Sequence, residues 1–101
     1  MGASANIRPS DIRADAIISR QGDWLSADTG DGAVMMSPSS AIYIGLSETG
    51  GRIWELLETP RTLAELCAEL MREYAVSAAE VEPDLREFIA RLAERGAVSL
   101  A

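Results

Sequence analysis

Between Ile42 and Leu57 the apolar residues change their repeat from two to about 3.6. Ile42, Ile44 and Leu46 fall on one face of an extended segment, and Ala41, Tyr43 and Gly45 on the other. From Ile53 onward, Ile53, Trp54, Leu56 and Leu57 recur at helical spacing. Between them Ser47 offers a hydroxyl to the free N–H groups of a starting helix, and Glu48 brings a negative charge to its first turn. A strand that runs directly into a helix divides the chain, with β-like sequence before the junction and α-like sequence after it.

Upstream, the short runs Ala16–Ser19, Trp24–Ala27 and Ala33–Met36 are separated by Gln21-Gly22-Asp23, Asp28–Gly32 and Ser37–Ser40. Runs punctuated by Gly, Asp, Ser and Pro in this way predict an antiparallel meander with strands over about 14–46. Residues 1–12 are small and polar with Pro9, which predicts a flexible N-terminal arm before a domain spanning 13–101.

Downstream, a first helix over about 48–58 stops at Thr59-Pro60. Thr62 with Glu65, and Ser77 with Glu80, have the form of capping boxes. Behind the first, Leu63, Leu66, Cys67, Leu70, Met71 and Tyr74 make one apolar stripe over about 63–75. Behind the second, Val81, Leu85, Phe88, Ile89 and Leu92 make another over about 78–95, closed by Arg95-Gly96. Val98 and Leu100 then fold back as an extended tail. Pro83 falls inside the last helix: either the helix is kinked there, or a short turn at 78–81 precedes a main helix opening at Pro83, which suits a first helical position, and the second reading is preferred. The sum is an α+β, winged-helix-like fold: a small N-terminal antiparallel β-sheet followed by three α-helices.

The 101 residues contain one cysteine and no histidine. No internal disulfide and no His/Cys zinc cluster can form, and a Ser-His or Cys-His nucleophile is excluded. The 16 carboxylates are spread over helix faces and loops, with no pair suited to acid–base work, so no enzyme, metal or cofactor is expected. The net charge of −7 opposes phosphate-backbone binding. Without a long apolar run or a signal-like start, a soluble cytoplasmic chain with no membrane contact is expected.

The segment Tyr43-Ile44-Gly45-Leu46-Ser47-Glu48-Thr49-Gly50-Gly51-Arg52-Ile53-Trp54-Glu55-Leu56-Leu57 resembles the hallmark of the PqqD-like family. Pro60–Leu66, Glu73-Tyr74, Val81–Ile89 and Arg95-Gly96 fit that family's second and third helices. The likeness covers about residues 33–100, with Ser47 in place of a more usual Asn and Ala41 in place of a usual Gly or polar residue. It implies a RiPP recognition element, a domain that binds the leader segment of a ribosomally made precursor peptide and presents it to a modifying enzyme. Within the family the chain resembles the stand-alone leader-binding protein of lasso-peptide pathways, whose partner would be a leader peptidase or similar processing enzyme. The coenzyme-PQQ-type peptide chaperone is the neighbouring alternative.

The resemblance implies that the leader adds a strand along Ala41, Ile42, Tyr43, Ile44 and Gly45, with side chains entering a cleft beside Asp84, Leu85, Phe88, Arg91 and Leu92. The residues also have plainer roles. Leu85 and Leu92 lie on a stripe whose usual fate is packing, and Ile42 and Ile44 face the core, so their share in binding is mainly backbone. Phe88, at the stripe's edge, can serve both core and cleft. Tyr43 is expected outside, while Asp84 and Arg91 lie off the stripe, where charges are usually only solvated. Trp54 and Cys67 read as core. Two further readings remain: an enzyme-binding subunit without peptide binding, and a winged-helix DNA regulator, which the acidic third helix disfavours. Free sheet edges also leave a homodimer open.

Overall fold

The computed structural model describes residues 7–101. Four strands come first, β1 (Ile17–Arg20), β2 (Leu25–Asp28), β3 (Gly32–Ser37) and β4 (Ile42–Ser47). Helix α1 (Glu48–Leu56), the two-residue β5 (Arg61–Thr62), α2 (Leu63–Tyr74), α3 (Ala78–Glu94) and β6 (Val98–Leu100) complete the α+β chain.

The strands form two three-stranded antiparallel sheets, ordered β5-β1-β6 and β2-β3-β4. This corrects the expected single meander. β1 leaves the hairpin series to pair with β5 (Ile17 opposite Thr62) and β6 (Ser19 opposite Ser99). The cause is burial: Ile18 is fully enclosed in the common core, and Val98 on β6 is enclosed beside it. Periodicity reports which face of a strand is buried but not which distant strand pairs with it.

The helices begin where their caps dictate. Ser47 accepts the Gly50 N–H, and the Thr62–Glu65 and Ser77–Glu80 boxes close reciprocally. At the other end of α1, Arg20 donates to the Trp54 carbonyl and Arg61 to the Leu56 carbonyl, so two guanidiniums meet the negative end of the helix dipole. Arg20 also lies over the Trp54 ring, 4.2 Å from its centroid.

Pro83 does not open a helix. It is the sixth residue of a single α3 that starts at Ala78. The capping box secures the first turn, and Pro83 faces solvent. The i−4 carbonyl it fails to meet belongs to Ala79, also exposed, where water can take the donor's place.

The expected arm at 1–12 falls in part outside the described residues. Over 7–12 the structure differs from that expectation: Pro9–Asp11 form a 3₁₀ turn, Ile12 is buried, and Arg86 of α3 donates to the Ile12 carbonyl.

The β3–β4 turn is held from outside the hairpin. Asp23 accepts the Ser37 hydroxyl at 2.6 Å, the Ser39 N–H at 3.0 Å and the Ser39 hydroxyl at 3.1 Å. Ala41 closes the turn with φ of 57°, a left-handed conformation costly for a residue bearing Cβ. Ala41→Gly should therefore stabilise the fold by about 0.5–1 kcal/mol, the strain relieved being partly offset by glycine's unfolded-state freedom. Thermal unfolding should show the midpoint rising by a few degrees.

Three carboxylates are held below their ordinary range by the hydrogen bonds they accept: Asp23 chiefly from Ser37, Glu73 from Arg52, and Glu80 from the Ser77 backbone and hydroxyl. Each binds its proton less readily folded than unfolded, so each contributes stability above the ordinary carboxylate range. That contribution is lost as pH falls through the lowered folded-state values. The melting temperature should be level near neutrality and drop at acid pH, less steeply in Asp23→Asn than in the parent chain.

Candidate peptide-binding groove

Among the described residues β4 is the last strand of its sheet, so the N–H and C=O groups along its outer side have no strand partner there. Alternation along β4 turns Ile42, Ile44 and Leu46 inward, leaving Tyr43 at 68% exposure and Gly45 open. Beside β4, the C-terminal half of α3 and the strand enclose a cleft of about 160 Å³ between Ile44, Gly45 and Leu46 on one side and Phe88, Arg91 and Leu92 on the other.

A larger cavity of about 570 Å³ continues past Ser47, where α1 begins, the end of α2 approaches and α3 starts. Its walls include Ile53, Leu70, Tyr74, Val81, Leu85 and Phe88. Phe88 and Arg91 line both spaces, which makes them one groove running along α3. Phe88 is 9% exposed, and the Arg91 guanidinium lies 5.9 Å from its ring centroid.

Glycine shapes this groove at one position. A Cβ on Gly50 would stand 3.2 Å from Phe88 Cε1, so the bare backbone of α1 lets the ring lie across the helix start. Gly50 was readable only as an unexplained glycine in a helix. Tyr74 appeared in the sequence as one more residue of a core stripe, yet its ring lines the groove.

The expected site residues divide into groups. Ile44, Gly45, Asp84, Leu85, Phe88, Arg91 and Leu92 line the groove, with Leu85 and Leu92 forming its buried floor. Ile42 and Tyr43 lie on the same open strand but line neither space. Ala41 falls outside the strand: its positive φ places it in the turn, which corrects the expected strand of Ala41–Leu46 to Ile42–Ser47.

Among the described residues no group of three or more His, Cys, Asp and Glu could hold a metal ion. Cys67 is buried in α2, where burial, with Glu82 adding, pushes its thiol up and so disfavours the thiolate. No helix of the described residues is long and apolar enough to cross a membrane.

An open strand edge with an apolar groove alongside it gives this small α+β domain a surface suited to an extended segment. The model of the coenzyme PQQ synthesis protein D (PqqD) family matches residues 32–98, and the chain belongs to that family. No curated protein sequence matches the chain. Among solved structures it is similar to TbiB1 in complex with the TbiA(beta) leader peptide, at 32% identity and a TM-score of 0.71, over 80% of this chain and 94% of that one. It is also similar to lasso peptide synthetase B1 complexed with the leader peptide, at 25% identity and a TM-score of 0.67, over 81% and 96%. The PqqD truncation of Methylobacterium extorquens PqqCD, solved by NMR as a stand-alone RiPP recognition element, shares the fold at 16% identity and a TM-score of 0.66, over 92% and 99%.

Proposed function

We propose that the protein is a non-catalytic recognition element that binds the leader segment of a ribosomally made precursor peptide, in lasso-peptide biosynthesis, and presents it to a separate processing enzyme. The observation that carries this reading is the free edge of β4 lying along the apolar groove of α3. An extended leader completes the sheet through its backbone, and alternate side chains enter the groove. Backbone pairing supplies affinity that depends little on sequence. Large apolar side chains filling the cavity over Leu85 and Phe88 supply selection. The similarity to two leader-bound proteins, one of them a lasso peptide synthetase B1, supports the same assignment.

The DNA-regulator reading is poorly supported, since α3 carries Glu80, Glu82, Asp84, Glu87 and Glu94 against Arg86 and Arg91, with Arg95 at its C-cap. A homodimer through the sheet edges would compete with the leader for β4. Calorimetric titration of the full chain with the leader of a neighbouring precursor gene tests the proposal. Neither tryptophan lines the groove, which makes heat a better reporter than indole fluorescence. Saturation at one peptide per chain that survives raised salt is the expected result. Absence of binding to any leader, with tight binding to the processing enzyme alone, would replace it with the enzyme-subunit reading.

A further inference from the structure

Beyond its apolar floor, the groove is sorted by charge. Around its large cavity stand the carboxylates of Asp84, Glu87 and Glu80, the last already engaged by Ser77, with the single guanidinium of Arg91 where the cavity meets the cleft. At the cleft beside Ile44 stand the guanidiniums of Arg91 and Arg95 with one carboxylate, Glu94. Asp84, Glu87, Arg91 and Arg95 are all exposed, and among the described residues none is in a salt bridge. The arginines elsewhere in the fold are largely spent: Arg20, Arg61 and Arg86 hold carbonyls, and Arg52 grips Glu73 in a bidentate pair.

We propose that the groove reads the order of charges along its ligand: a Lys or Arg, followed three to five residues later by an Asp or Glu. This rests on the leader-binding reading and adds to it a rule for the peptide. Asp84 and Arg91 are about 10 Å apart along the helix axis, and Asp84 and Arg95 about 16 Å, at roughly 1.5 Å per residue. A strand covers those lengths in about three and about five residues.

Direction follows from the sheet. Both existing pairings, β2 with β3 and β3 with β4, are antiparallel. An added antiparallel strand continues that pattern and is the slightly more stable pairing. β4 ends at Ser47, beside the carboxylates, and passes Ile44 beside the arginines. An antiparallel peptide therefore begins at the carboxylates and ends at the guanidiniums, so its cation comes first. Apolar side chains between the charges occupy the groove floor.

The test selects a phage-displayed library of random 12-residue peptides on the full chain. A parallel selection uses the chain carrying Asp84→Lys, Glu87→Lys, Arg91→Glu and Arg95→Glu together, changes that leave net charge unaltered at exposed positions. Enriched peptides should place the cation first on the parent chain and the anion first on the variant. Synthetic peptides of matched composition and opposite order should differ about tenfold in Kd at low salt, as expected for two exposed ion pairs gained or lost. The difference should shrink at high salt. Enrichment without charge order, or anion-first order on the parent chain, would overturn the rule and leave leader binding standing. The same order on both chains would place the selection elsewhere and also overturn it. No enrichment at all on the parent chain would overturn both the rule and the leader-binding reading. Should the variant fail to fold, the order selected on the parent chain still decides.

Discussion

Gly32→Ala should destabilise the fold by more than about 3 kcal/mol and abolish leader binding with it. Gly32 opens β3 directly opposite Ser47, and a Cβ there would drive into the carbonyl of Leu46, a backbone atom with no freedom to rotate away. The strands would have to part at the end of β4 where Ser47 caps α1, so the strand edge and the helix start would be lost together. Denaturant unfolding should show the midpoint falling sharply, and calorimetry should show no heat with leader. The neighbouring Gly30→Ala is a useful contrast. Space around it is open, and its cost arises only from a positive φ of 94°. Its loss of stability should be smaller, and binding should survive.

Phe88→Ala should be nearly as damaging by another route. The ring fills the space over Gly50 and closes the junction between the two parts of the groove, while its inner face belongs to the core. Truncation should cost about 3–5 kcal/mol, a large part of the total stability of a domain this size. Binding and folding are separated with Phe88→Leu, which retains most of the apolar volume. That variant should fold and bind the leader about tenfold more weakly, the loss typical of an aromatic contact in a groove. Leu25→Ala on the exposed β2 should change neither property, since Leu25 is 59% exposed and lies away from the groove.

Features set by near neighbours could be read directly. Ser47, Thr62 and Ser77 cap their helices as their sequence contexts indicate, because the partners lie within three residues. The apolar stripes marked Leu66, Leu70, Leu85 and Ile89 as core, and alternation marked Tyr43 as exposed. What depends on distant pairing was not legible. Nothing in Ile17–Arg20 announces that its partners are Arg61–Thr62 and Val98–Leu100. Gly32 carries no local sign of the carbonyl facing it.

Pro83 misled because its cost within a helix depends on whether water reaches the orphaned carbonyl, and exposure is a tertiary property. Ala41 misled for the opposite reason. An alanine gives no hint of left-handed backbone, and only its departure from the family's usual Gly or polar residue marked the position. Within the groove, Phe88, Arg91, Asp84 and Ile44 were readable through resemblance and stripe geometry. Gly50 and Tyr74 required the packing of three helices to be known.

Residue-resolved NMR titration of the labelled chain with the leader peptide tests the central claim most directly. The expected result is saturable shift changes and slowed amide exchange over Tyr43–Ser47, with shifts at Asp84, Phe88 and Arg91. Shifts confined to β2 and to the polar hollow between β2 and α1 would contradict it, because they would place the peptide on the opposite edge of the same sheet.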